Sequence, residues 1–274
     1  MKLHGVVWLR LGIVSSERFE VAGGEALGNK NGRCVVCGNS PTVKSHLFPR
    51  AMMLDMRTDD RPLLEASRHR TGYVERQNGI WDDRFLCKTH EDAAGGGDDY
   101  AVRLSRRMIE KSWRHPDGDA FQIDNPQPEL LQRFVYGTVW RHFAAPISAP
   151  SKLRLGPYQD RIERALFNDG LFDLPIVAAI TNVTGHAGRL VPMALAPYRT
   201  KLKDAWVWHF VVGYFDVMLK TDARPWPPEW RPYLADRDPL TLFQADRVDL
   251  ATVPFLRELT DRVRASPYRG KQKG

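Results

Sequence analysis

Two short, matched motifs constrain this chain more than anything else in it: Cys34-Val35-Val36-Cys37 and, after 49 intervening residues, Cys87-Lys88-Thr89-His90. A C-x-x-C turn puts two thiolates on one side of a tight loop, and Gly38 relieves the backbone of such a knuckle. The second pair brings the donors to four, the number zinc takes in a tetrahedron of sulfur and nitrogen ligands. Four protein ligands leave no open position, so the metal expected at Cys34, Cys37, Cys87 and His90 is structural, and its binding energy is folding energy. The plainer use of Cys87 and His90 is a core thiol and a surface histidine. A thioredoxin-like redox motif needs a strand-to-helix entry, which Gly32-Arg33 before and Gly38-Asn39-Ser40-Pro41 after do not offer. The chain has only 3 cysteines, which cannot all pair in disulfides. That count points to a reducing, cytoplasmic compartment.

The rest of the chain reads as globular. Its 274 residues are 43% apolar and 27% charged, too rich in core formers for disorder. No apolar run approaches the ~18 residues that span a bilayer, so no membrane partner is expected. Arg10 interrupts the apolar start and no small-residue cleavage site follows, so no signal peptide is expected. The spacing predicts helices over 98–114, 129–143, 158–167 and 252–265. Strands are expected over 6–14, 175–184 and 190–196, with one or two more over 205–220 bent near Gly213. Pro225 to Pro232 reads as a Trp/Pro loop, and the tail from Arg264 as basic and mobile. The run Asp124-Asn125-Pro126-Gln127-Pro128 suggests a boundary. The expected organisation is an N-terminal extension (1–33), a zinc-stapled module (34–120) and an α+β accessory domain (121–274).

The residues beside the cysteines add chemistry. Ser45-His46-Leu47-Phe48-Pro49 follows the first pair, Trp81-Asp82-Asp83-Arg84-Phe85-Leu86 precedes the second, and Glu91 follows His90. Over about residues 33–110 the chain resembles the HNH endonucleases of the ββα-metal (His-Me finger) class. The likeness is to a zinc-stapled branch with the pattern C-x-x-C, S-H-hydrophobic-hydrophobic-P, L-C-x-x-C-E, whose members include bacterial and phage-related proteins with defence roles. The resemblance implies an α+β fold: a zinc-stabilised ββα module, followed here by a mixed helix and antiparallel-sheet domain. It implies a metal-dependent endonuclease acting on nucleic acid, DNA first. His46 matches the general base at the end of the first strand. Asp82 stands where the family has an asparagine that orients that base. Glu91 stands where it has a histidine that binds the catalytic metal. His90 replaces a fourth cysteine, and Ser45 an aspartate that often joins the metal. Glutamate still suits Mg²⁺ or Mn²⁺, hard cations that prefer oxygen. The chemistry is coherent on its own terms, since a neutral imidazole can take a proton from water at physiological pH. Each residue also has a bland use: His46 capping a strand, Asp82 and Asp83 in a turn, Glu91 in a helix's first turn.

The net charge is +7 at a pI near 9.4, which permits a polyanionic partner. Arg103, Arg106, Arg107 and Lys111 recur at helical spacing, and Arg50 lies just after the histidine motif. These five are the candidate phosphate contacts, with a solvated face as the alternative. Three functions remain open. One is an HNH-like nuclease whose second half recognises, senses or dimerises. Another is a zinc-stabilised nucleic-acid-binding protein with a degraded site. The third is a protein-interaction module in the second half.

Overall fold

A computed structural model describes residues 6–9, 29–57, 62–67, 73–114, 120–151, 154–180, 183–184, 191–202, 204–236, 240–244, 248–249, 252, 257–258 and 260–261. In chain order these form β1 (Val6–Leu9), β2 (Val43–His46), α1 (Arg50–Asp55), β3 (Leu63–Ser67), β4 (Tyr73–Arg76), β5 (Trp81–Leu86), α2 (Lys88–Ala94) and α3 (Asp98–Arg114). There follow β6 (Ala120–Ile123), α4 (Pro128–Ala144), α5 (Tyr158–Phe167), β7 (Ile176–Ile180), β8 (Val183–Thr184), β9 (Met193–Leu202), β10 (Ala205–Gly213), β11 (Phe215–Lys220), β12 (Leu240–Gln244) and β13 (Val248–Asp249). The fold is α+β. No described helix is long and apolar enough to cross a membrane.

Nine strands form one sheet in the order β4-β3-β1-β9-β10-β11-β7-β12-β6. All its pairs are antiparallel except β12 with β7. At its centre the alternation of β10 divides the sheet's faces. Trp208 and Phe210 turn toward α4, where Phe143 meets Trp208 at 4.7 Å and Phe134 meets Phe210 at 5.9 Å between ring centroids. Val207 turns the other way, into a smaller cluster with Val177, Met218 and Trp226. Gly213 turns the chain from β10 into β11 with φ 66°, a conformation that costs glycine nothing.

The central helix is α4. Pro128 opens it, where a missing N–H is harmless, and its buried residues include Leu131 and every position from Phe134 to Arg141. From Phe134 to Arg141 the helix is enclosed on all sides, as the largely apolar run Phe134-Val135-Tyr136-Gly137-Thr138-Val139-Trp140 requires. A separate hairpin, β2 with β5, sits beside it, in the register Ser45 opposite Asp82 and His46 opposite Trp81. The chain leaves β5 straight into α2, so β2, β5 and α2 make a ββα unit.

Helices α4 and α5 lie where the periodicity put them, and the 205–220 segment is two strands. The 175–184 segment holds β7 and β8, and β9 runs on to Leu202, past the expected end. The Trp/Pro loop winds into a 3₁₀ helix, Pro228–Tyr233. Part of the stretch between the cysteine pairs pairs as β3 with β4 and joins the large sheet through β1. The core does not divide near residue 124. Phe48, Met53, Phe85 and Leu86 from one side of that point belong to one buried cluster with Phe134, Trp140, Trp208 and Phe210 from the other. Most of the expected 252–265 helix, and the basic tail, lie outside the described residues.

Candidate metal centre

The first cysteine pair forms a knuckle closed by its own backbone. The Gly38 N–H donates to the Cys34 carbonyl at 2.8 Å, the Cys34 N–H donates to the Asn39 carbonyl at 2.8 Å, and Gly38 takes φ 73°. The Val35 N–H donates to the Phe85 carbonyl at 3.0 Å, fastening the knuckle to the end of β5. Two residues on, Cys87 caps α2, and one turn into that helix stands His90.

The four donor atoms converge. Cys87 Sγ lies 3.2 Å and Cys34 Sγ 3.6 Å from His90 Nδ1, Cys37 Sγ lies 3.9 Å from Cys87 Sγ, and all four atoms fall within 4.8 Å of one another. A tetrahedron with zinc–sulfur bonds of ~2.3 Å has sulfur–sulfur edges of about 3.8 Å, so this spacing fits zinc. Burial pushes the Cys34 thiol up, but N–H donors from Cys87, Cys37 and Val36 outweigh it and leave the thiol below its usual value. The ring of His90 meets Phe167 edge-on at 5.3 Å, which fixes its plane. Among the described residues this Cys₃His quartet is the one group of three or more His, Cys, Asp and Glu side chains placed to hold a metal ion. It can hold a structural zinc.

Beside it lies a set of buried polar atoms without hydrogen-bond partners: Ser45 Oγ, His46 Nε2, Glu91 Oε2 and the Nε of Arg141. Orphans of this kind are rare in folded proteins and mark places where a further ligand or water belongs. His46 ends β2. Burial lowers its pKa to about 4, helped by the charges of Lys44, Arg50 and Arg141, so the imidazole is neutral at physiological pH. Burial raises the pKa of Glu91, against the pull of Arg141 and of the Ser45 hydroxyl, which faces the carboxylate without closing a hydrogen bond.

Asp82 is placed differently from the expectation. Its Oδ1 accepts the Arg84 N–H at 2.9 Å and its Oδ2 the Ile147 N–H at 3.1 Å. The carboxylate therefore ties β5 to the turn after α4. It makes no hydrogen bond to His46, and its register partner is Ser45. The expected basic face is also smaller than its sequence. Arg106 is held by Asp55 through two bonds of 2.8 and 2.9 Å, which offsets its charge. Arg50, Arg103 and Arg107 are exposed, while the Lys111 side chain lies outside the described residues. His142 binds the Thr138 carbonyl at 2.8 Å, and His209 bridges Tyr198 and Asp216.

Sequence reasoning missed Arg141 and Asp98. Arg141 is wholly buried and its Nη2 lies 3.0 Å from both Asp98 oxygens. In sequence it is one base in the last turn of a helix, a common placement that gives no sign of burial. No family model, curated protein or solved structure matches this chain.

Proposed function

We propose that the chain is an HNH-like, metal-dependent endonuclease that hydrolyses nucleic-acid phosphodiester bonds, with DNA the first substrate to try. The observation that carries this reading is the pair of orphaned buried atoms, His46 Nε2 and Glu91 Oε2, on a ββα unit beside the Cys₃His cluster. The His46 ring is neutral at pH 7, the state a general base needs to take a proton from an attacking water. Glu91 Oε2, a hard oxygen, is a donor suited to Mg²⁺ or Mn²⁺. Such an ion, when bound, supplies positive charge at the phosphate and the leaving oxygen. Lys44 and Arg50, whose charges act on His46, add positive potential where a phosphate would lie. The zinc quartet would fix Glu91 against β2, since His90 precedes it directly.

The test is cleavage of supercoiled plasmid with Mg²⁺, Mn²⁺ and Ni²⁺ in turn. His46→Ala is expected to lose ~10²–10⁴-fold in rate while keeping zinc content and fold. Cleavage by His46→Ala at the wild-type rate would remove His46 as the base. The engagement of Asp82 by Arg84 and Ile147 favours a second reading, nucleic-acid binding without cleavage. That reading predicts a gel shift in EDTA and no nicking with any ion.

A further inference from the structure

We infer that Arg141, from α4 in the second half of the chain, is the positioning residue that sets His46 and the start of α3 against the helix bearing Glu91. The inference rests on the reading of His46 and Glu91 given above. Arg141 Nη1 donates to the His46 carbonyl at 3.0 Å, and Nη2 donates to the Ala94 carbonyl at 2.8 Å and to both oxygens of Asp98 at 3.0 Å. Those three partners stand on three elements: the last residue of β2, the last residue of α2 and the first residue of α3. One planar group with fixed donor directions therefore sets three elements relative to one another.

The carbonyl it takes is the critical one. On the far side of His46, the Leu47 N–H donates to the Ile80 carbonyl at 3.0 Å. The backbone at His46 is thus held by β5's approach on one side and by α4 on the other. The packing clears a path for the fork. A Cβ on Gly137, one turn before Arg141, would fall 2.0 Å from the Ala94 carbonyl oxygen, and one on Gly97 would fall 2.2 Å from the Leu130 carbonyl oxygen. Only glycine at these two places lets α4 come close enough for Arg141 to reach across.

Stability alone is a weak reason for this residue. Burying a guanidinium carries a large desolvation cost, and an apolar side chain of similar size often serves a core as well or better. What an apolar residue lacks is direction. Lysine would keep the charge and lose the fork.

Two variants separate positioning from support. Arg141→Lys keeps a cation opposite Asp98. Arg141→Met combined with Asp98→Asn removes both members of the ion pair together, so Asp98 is not left as an unpaired buried carboxylate. Both are compared with wild type for zinc content, cooperative thermal unfolding, steady-state plasmid cleavage and the ¹³C–¹H ring cross-peak of His46 in histidine-labelled protein, assigned with His46→Ala. The expected result is zinc-loaded, folded protein with KM unchanged and kcat down about 100-fold, the size of effect that a misplacement of ~1 Å produces. The His46 cross-peak should move while those of His90 and His209 stay. If the folded double variant cleaves at the wild-type rate, or its His46 cross-peak does not move, Arg141 is a support and the inference fails. If wild type cleaves nothing with any ion, the endonuclease reading fails instead. The His46 cross-peak then decides the inference alone: movement sustains it and no movement overturns it.

Discussion

Histidines show how far one residue type can be read from sequence. The candidate ligand His90 is legible because Cys87 stands three before it, and donor spacing on a helix start is rigid. His46 is legible as a candidate from its motif, but its burial and its unpartnered Nε2 come from α4 packing over the hairpin. His142 gave no signal at all. Its ring packs edge-on to Phe48 at 4.5 Å, and burial lowers its pKa to about 4, the bond to Thr138 only partly opposing this. Its folded pKa lies below the unfolded value of about 6.5, so the fold binds fewer protons than the unfolded chain between those values. Stability from His142 is therefore complete above about pH 6.5 and is lost as pH falls toward 4. His46 has the same sign, while Asp98, raised to about 6 chiefly by burial, opposes both between its unfolded value and 6. His142→Gln isolates one contribution. Urea titrations at pH 7 and pH 5 should show wild type losing about 1–2 kcal/mol more than the variant on acidification. Equal losses would mean the ring is protonated in the fold.

At the scale of elements, the legible ones carry their own period. α4 and α5 have apolar residues at threes and fours, and β10 has aromatic and β-branched residues in alternation. β3 and β4 were hidden because their residues are mixed and charged, with Arg76 paired to Glu65 at 2.9 Å across the hairpin. Their place in the large sheet depends on β1, far away in sequence. α2 has only seven residues, too few to hold a helix in water unaided, so it depends on its packing against α4 and α5, and a zinc held by Cys87 and His90 would pin its first turn. Cys34→Ser, or prolonged chelation, should release about one zinc per chain and open residues 34–94 to protease. Metal analysis with limited proteolysis checks this, and well-folded, protease-resistant protein without zinc would end the assignment. The contact of α2 with α4 has its own test. Gly137→Ala places a methyl against the Ala94 carbonyl and should cost about 1–3 kcal/mol, read as a lower urea midpoint with the slope unchanged.

At the scale of the whole molecule, the proline-rich run at 124–128 interrupts the chain but not the buried cluster, for a physical reason. Prolines stop regular structure locally, but they say nothing about whether apolar faces on either side meet. Here they do meet. Phe85 of β5 stacks on Trp140 of α4 at 5.3 Å with an interplanar angle of 23°, and Phe48 lies 6.1 Å from Phe210 across the same junction. The Arg141 fork crosses it as well. A zinc module that folded alone would expose Phe85, Leu86 and Met53, all of which are buried here. Two bodies sharing one core unfold together, because neither keeps its buried surface when the other opens. In a variant with Trp8, Trp81 and Trp113 replaced by phenylalanine, tryptophan fluorescence reports the second half through residues such as Trp140 and Trp208, and zinc captured by a colorimetric chelator reports the first. In a urea titration the two signals should share one midpoint and one slope, and Cys34→Ser should lower the fluorescence midpoint as well. Zinc release at clearly lower urea than the fluorescence change would show that the ββα unit opens by itself. The second half would then be an independent domain, and the role given to Arg141 would lose its footing.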